Sequence, residues 1–162
     1  MSFIESHPRR VAFIANTLDG LTALIVNQGE DLLRVAGIGF PARASSTVLL
    51  LGERGEKSAA DIARALRQPH QLVTQRIELL IELGIVARVD DPQDARRKLL
   101  RLTAKGRRQF GLLIRTLEEA EAAFQELYRE IGCDLTKKVQ LAVAALNRTS
   151  LLSRVHLADA KT

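Results

Sequence analysis

Residues 80–106 read LIELGIVARVDDPQDARRKLLRLTAKG, and the hydrophobic period changes twice within them. Up to Leu83 the apolar residues recur every three or four places, as on one face of a helix. Gly84 stands where a helix C-terminal glycine belongs, because only glycine enters left-handed backbone without a steric cost. Ile85-Val86-Ala87-Arg88-Val89 is short and β-branched and reads as a strand. Asp90 to Arg97 is polar, contains Pro92 and reads as a loop, and Lys98 to Leu102 alternates as a second strand. Thr103 fits the N-cap of a further helix. Two strands joined in this way predict a β-hairpin whose charged tip holds Asp94, Arg96, Arg97 and Lys98.

Upstream, Ser58-Ala59-Ala60-Asp61 has the spacing of a capping box, with Asp where Glu is more usual. It predicts a helix SAADIARAL that buries Ile62, Ala63 and Leu66. Arg67 and Gln68 make a short turn, and Pro69 starts a helix running to Leu83. On that helix Val73, Ile77 and Leu80 point to the core, while Gln71, Thr74, Gln75, Glu78 and Glu82 face the other way. Further upstream, Pro41 opens a helix at its first position and carries Val48, Leu49 and Leu51 inward, with Gly52 and Gly55 flanking a short charged turn. Val35 to Phe40, with two glycines, separates it from a helix over 9–33, where Val11, Ile14, Leu18, Leu21, Ile25 and Leu32 share a face.

Downstream, the helix after Thr103 reaches Ile131, with Phe110, Leu117, Phe124 and Ile131 repeating every seven residues and Leu113, Ala120 and Leu127 between them. A heptad stripe asks for another helix against it. Gly132 ends this helix, and Asp134 caps a last one with Leu135, Val139, Ala142, Leu146 and Ser150 on its inner face to about residue 155. The fold class is therefore mainly α, a winged helix-turn-helix with a two-stranded β-wing. Residues 41–103 form the winged helix-turn-helix, and 1–40 with 104–162 form flanking N- and C-terminal dimerisation helices.

In a winged helix-turn-helix the second helix enters the major groove of DNA and the wing meets the backbone or an adjacent minor groove. Gln71 and Gln75 suit bidentate contact with adenine, Thr74 suits a thymine methyl, His70 in the first turn is placed to touch phosphate, and Arg76 is a further DNA-binding candidate on the same helix. Arg96, Arg97 and Lys98 bring positive charge to the wing, and arginine suits a narrow minor groove. Asp94 is placed to hold one guanidinium through a charge-assisted pair. Polar residues face outward on any surface helix, so the constellation of turn, glycine and wing carries the reading.

Leu80-Ile81-Glu82-Leu83-Gly84-Ile85-Val86, followed by Asp91-Pro92-Gln93-Asp94-Ala95-Arg96 and by Leu100-Arg101-Leu102-Thr103-Ala104-Lys105-Gly106, resembles the MarR family of transcription regulators. That resemblance implies a homodimer with interleaved terminal helices, bound to a palindromic operator as a repressor. It makes Arg96 the minor-groove arginine, Asp94 its support and Thr74 a base-reading residue, with Gln75 standing where the family often has Arg. It also implies relief by a small aromatic or anionic effector, for which Arg10, Arg43 and Arg67 are candidates.

The remaining composition narrows the alternatives. With 162 residues and 46% hydrophobic content the chain fits one compact domain with helical extensions. Aromatics make up 4% and Trp is absent, which argues against stacking single-stranded bases. Residues 54–108 hold 13 Lys and Arg against 7 Asp and Glu, while the remainder holds 11 against 12, so all the excess positive charge of a +5 chain sits around the helix-turn-helix and wing. Such a block attracts a polyanion. MSFIESHPRR lacks a signal-peptide core, and no stretch has the length of a membrane span, so a cytoplasmic location is expected. Cys133 is the one cysteine, which excludes an internal disulfide, and it reads as an inert thiol rather than an oxidant sensor. His7, His70 and His156 have no partners at metal spacing, and no cofactor motif is present. Glu118, Glu119 and Glu121 read as a solvated face, so no enzyme is expected. Two rivals remain: a winged-helix protein-interaction module, and a regulatory module acting with a catalytic partner.

Overall fold

The elements run α1 (Phe3–Ser6), a 3-10 turn (Arg10–Phe13), α2 (Ile14–Val35), a second 3-10 turn (Ala42–Ala44), α3 (Ser45–Arg54), α4 (Ala59–Leu66), α5 (His70–Glu82), β1 (Val86–Asp91), β2 (Asp94–Leu102), α6 (Ala104–Glu130), α7 (Leu135–Arg148) and α8 (Leu151–Asp159). This computed structural model describes residues 3–159, with the side chains of Ala95, Arg96 and residues 157–159 outside that description. The chain forms two compact units, Met1–Leu117 and Glu118–Thr162.

In the first unit one core gathers Leu33, Phe40, Val48, Ile62, Ile77 and Leu113 from five helices and the segment before α3. The expected inward residues Val73 and Leu80 are fully buried, as are Ile62 and Val48. Left-handed glycines end the helices where the sequence places them. After α5, Gly84 (φ 67°) donates to Ile81 O at 2.9 Å and Ile85 to Leu80 O at 2.9 Å. Gly37 (φ 72°) repeats the pattern after α2, through its own bond to Arg34 O at 3.1 Å and that of Ile38 to Leu33 O at 2.9 Å.

Several boundaries differ from the sequence reading. The helix expected over 9–33 begins as a 3-10 turn and becomes α at Ile14. Pro41 does not open a helix: it is extended (φ −73°, ψ 154°), and the Glu30 carboxylate takes the next amide, Ala42 N–H, at 2.9 Å. Gly52 flanks no turn. It lies inside α3, where the Phe110 ring comes within 2.3 Å of where a Cβ would stand, so glycine there makes room for a core aromatic. Pro69 is the residue before α5, with ψ 134°, rather than its first helical residue.

In the second unit the expected single last helix is broken. Thr149 is extended (φ −141°, ψ 112°), and the Ser150 hydroxyl accepts the Ser153 amide at 3.2 Å, so Ser150 starts α8 instead of lining α7. Asp134 caps α7 as expected, accepting from Lys137 N–H at 2.8 Å.

Candidate nucleic-acid interface

α4, the turn and α5 are set by local bonds. Ser58 Oγ accepts Asp61 N–H at 3.2 Å and donates to the Asp61 carboxylate at 2.7 Å, and the Ser58 main chain also bonds that carboxylate, closing the capping box. At the other end of α4, Arg67 adopts left-handed backbone (φ 50°, ψ 43°), and the bonds Arg67 N–H to Arg64 O (3.2 Å) and Gln68 N–H to Ala63 O (3.0 Å) finish the helix as glycine usually does. Arg76 donates to the Gln68 side chain and ties α5 to the turn.

Behind the buried Val73, Ile77 and Leu80, α5 leaves His70, Gln71 and Gln75 exposed. Thr74 is half-buried, and its hydroxyl donates to His70 O at 2.9 Å. Glu78 does not join this face: it is half-buried and paired with Arg88 of β1, because the hairpin folds back beside that side of the helix. Leu72, 45% exposed, is an apolar residue on α5 that the sequence reading did not single out. Its place off the 73–77–80 spacing was the available signal.

The wing is longer and more regular than expected. Residues 90–97 are mostly strand, not loop, because β1 and β2 pair antiparallel from Val86↔Leu102 to Asp90↔Lys98 and close at Asp91↔Asp94. The register shifts beyond Asp90, so Ala95, Arg96 and Arg97 bulge from β2. A one-residue bridge, Lys57↔Leu100, attaches the hairpin to the segment before α4. At the hairpin's base Thr103 donates its hydroxyl to Gly84 O at 2.7 Å, accepts Gly106 N–H at 2.9 Å, and donates its own N–H to Ile85 O at 3.0 Å. Gly106 packs so closely on this knot that an added Cβ would stand 2.0 Å from Ile85 O.

The wing cations have partners. Lys98 pairs with Asp90 across the strands, and Arg101 lies 3.5 Å from Glu56. Arg97 pairs with Asp61, approaches Asp91 at 3.7 Å and donates to Ser58 Oγ at 3.4 Å. The Ser58 hydroxyl above all, with the Arg97 and Arg64 guanidinium groups, lowers the Asp61 carboxyl from 3.8 to about 2 against the opposing effect of its burial. Arg96 lies in β2, and its expected DNA contact falls on a side chain outside the described residues, while Asp94 sits at the hairpin turn.

Away from the wing and from the exposed face of α5, a cleft in the first unit is lined by Glu30, Arg34, Phe40, Arg43, Leu79 and Leu83 among others. Of the three arginines considered for an anion, only Arg43 borders it. Among the described residues no group of three or more His, Cys, Asp or Glu is placed to hold a metal, and no helix is long and apolar enough to cross a membrane. Cys133 is half-buried after α6, and Glu118, Glu119 and Glu121 are exposed.

Residues 38–97 match the sequence profile of the MarR family. The fold is similar to that of MepR from S. aureus in its complex with DNA (TM-score 0.64, 19% identity, 83% of this chain and 94% of that one). It is also similar to the transcriptional regulator BldR from Sulfolobus solfataricus (TM-score 0.60, 17% identity, 91% and 99%). A third similar structure is the adhesin competence repressor AdcR from Streptococcus pyogenes (TM-score 0.53, 19% identity, 83% and 92%). At such identities these likenesses establish the fold. No curated protein matches the chain.

Proposed function

We propose, from the match of residues 38–97 to the MarR-family profile, that the chain is a cytoplasmic, homodimeric, sequence-specific regulator of transcription and not an enzyme. The observation that carries this reading is α5, whose buried row Val73, Ile77 and Leu80 leaves His70, Gln71 and Gln75 open to solvent next to an arginine-bearing hairpin. α5 reads the major groove through Gln71 and Gln75, with the Thr74 methyl meeting a thymine and His70 and Arg76 near phosphate. Arg96 enters the minor groove with Asp94 beside it, and Arg97 and Lys98 add positive charge to the wing.

Residues 41–103 form the DNA-binding part, and 1–40 with 104–162 the dimerisation part. Large apolar side chains left open support the dimer: Ile14 (57%) and Leu24 (54%) on α2, and Leu141 (59%) and Leu152 (68%) in the second unit. A two-fold dimer reads a palindrome. The regulator acts as a repressor, relieved when a small aromatic or anionic effector occupies the cleft bordered by Arg43 and Phe40.

The test is recovery of fragmented genomic DNA by the purified protein, read by sequencing, with an Arg96→Ala control. Enrichment of a few fragments that share a palindrome, weakened by about 1–3 kcal/mol in the control, supports the reading. Failure to recover DNA at low salt, together with capture of a protein partner, would favour a winged-helix interaction module.

A further inference from the structure

The inner part of the wing is held to the rest of its unit by the Thr103 knot, the Lys57↔Leu100 bridge and the Arg101–Glu56 and Arg88–Glu78 pairs. Nearer the tip, Arg97 ties the hairpin to the helix-turn-helix. Arg97, in the bulge, reaches across 36 residues of sequence to the Asp61 carboxylate and also meets Ser58 Oγ at 3.4 Å and Asp91 at 3.7 Å. These acceptors belong to two different elements. Ser58 and Asp61 start α4, while Asp91 ends β1 and has a side chain only 10% exposed. Asp61 is fixed in turn by the Ser58 hydroxyl at 2.7 Å and by Arg64 at 2.9 Å. A guanidinium with its donors fanned over three acceptors sets direction as well as distance.

Resting on the DNA-binding reading above, we propose that Arg97 is a positioning residue and not a DNA contact: its bond to Asp61 latches the wing tip to the start of α4 and sets where the wing meets DNA. The latch turns the capping box of α4 into a docking point for the hairpin. Arg97 therefore acts through its neighbour Arg96, and Asp61, an acidic residue on a DNA-binding surface, strengthens binding instead of opposing it.

That last consequence gives the test its sign. If the ion pair were an ordinary surface pair, neutralising Asp61 would remove repulsion from DNA and free Arg97 for phosphate, and affinity would rise. If it is a latch, D61N weakens binding. Asparagine keeps an acceptor for the Ser58 hydroxyl, and the main-chain bond from residue 61 to Ser58 Oγ survives, so α4 keeps its start.

The experiment measures binding to a duplex that the wild-type protein selects from a random-sequence pool, as a function of salt. The variants are D61N, Arg97→Ala, their combination, and Arg97→Ala on an Arg96→Ala background. The expected result is about a tenfold loss for D61N and for Arg97→Ala, with no further loss when they are combined. The salt slope stays at its wild-type value, and Arg97→Ala has no effect once Arg96 is removed. Unchanged or tighter binding by D61N overturns the latch, as does a slope that falls by about 0.9 in Arg97→Ala, the signature of a lost phosphate contact. Should D61N melt before it can be assayed, Arg97→Ala, which leaves α4 untouched, decides by its slope. A wild-type protein that selects no duplex overturns the regulator reading itself, and is recognised before any variant is made.

Discussion

Gly106→Ala tests the joint on which the wing is built. An alanine Cβ at this position would stand 2.0 Å from Ile85 O, 3.0 Å from Ile85 C and 3.3 Å from the Leu102 Cβ. The obstacle is backbone. Ile85 is fully buried, and its amide is held by Leu80 O at 2.9 Å, so it has no room to retreat. α6 must move instead, and Thr103 must then give up its bonds to Gly84 O (2.7 Å) and Ile85 O (3.0 Å). Overpacking a tight site costs about 1–3 kcal/mol and each lost hydrogen bond about 1, which makes about 3–5 kcal/mol. For a chain of this size that lowers the melting temperature by roughly 6–20 °C. Gly111→Ala is the matched control on the same helix: nothing lies within 4 Å of its added Cβ, and alanine inside a helix gains about 0.5–1 kcal/mol over glycine. Thermal unfolding followed by circular dichroism reads both. A Gly106→Ala protein that melts with the wild type would refute the close packing of α6 on Ile85.

Arg67→Gly removes a side chain from left-handed backbone (φ 50°) and should stabilise the protein by about 0.5–1 kcal/mol after glycine's own entropy cost; a lower melting temperature would contradict this. Asp61 titrates at about 2 when folded against an ordinary 3.8, so it stabilises the fold above the ordinary value and that contribution is lost as pH falls through 2. The stability gap between wild type and D61N in urea should therefore be constant near neutrality and shrink by on the order of 1 kcal/mol towards about pH 2, the group's partial exposure limiting the figure; a gap independent of pH would remove the ionic role of Asp61. Leu18, 41% exposed on α2, lies on the face proposed to meet a second copy. Leu18→Glu should halve the mass seen by sedimentation while leaving helicity intact, and an unchanged mass would exclude that face as the interface.

What was legible in the sequence follows from what leaves a periodic or stereochemical mark. Val73, Ile77 and Leu80 recur at helical spacing because one side of α5 is dry, and all three are buried. Gly84 and Gly132 mark helix ends because both need positive φ. The wing misled because its outer half is charged on both sides: Asp91 is largely buried yet charged, and Asp90, Arg97 and Lys98 are exposed, so no apolar alternation marks the strand. Gly52 misled for the opposite reason, since its partner, Phe110, lies far along the chain and a glycine that makes room for a ring looks the same as one that makes a turn.

The candidate site divides along the same line. Which residues of α5 face outward follows from spacing, but how the outward charges are used does not. Glu78 is paired with Arg88, Arg76 with Gln68 and Arg97 with Asp61, over separations of 10, 8 and 36 residues that no helical or strand repeat connects. A basic block on the sequence is thus an upper bound on the cations free for DNA, because the fold commits part of that charge to holding its own hairpin and turn. Net charge predicts attraction to a polyanion, whereas the salt slope counts only the cations that remain unpaired within the protein. For this chain the slope should therefore be smaller than the 13 Lys and Arg of residues 54–108 suggest.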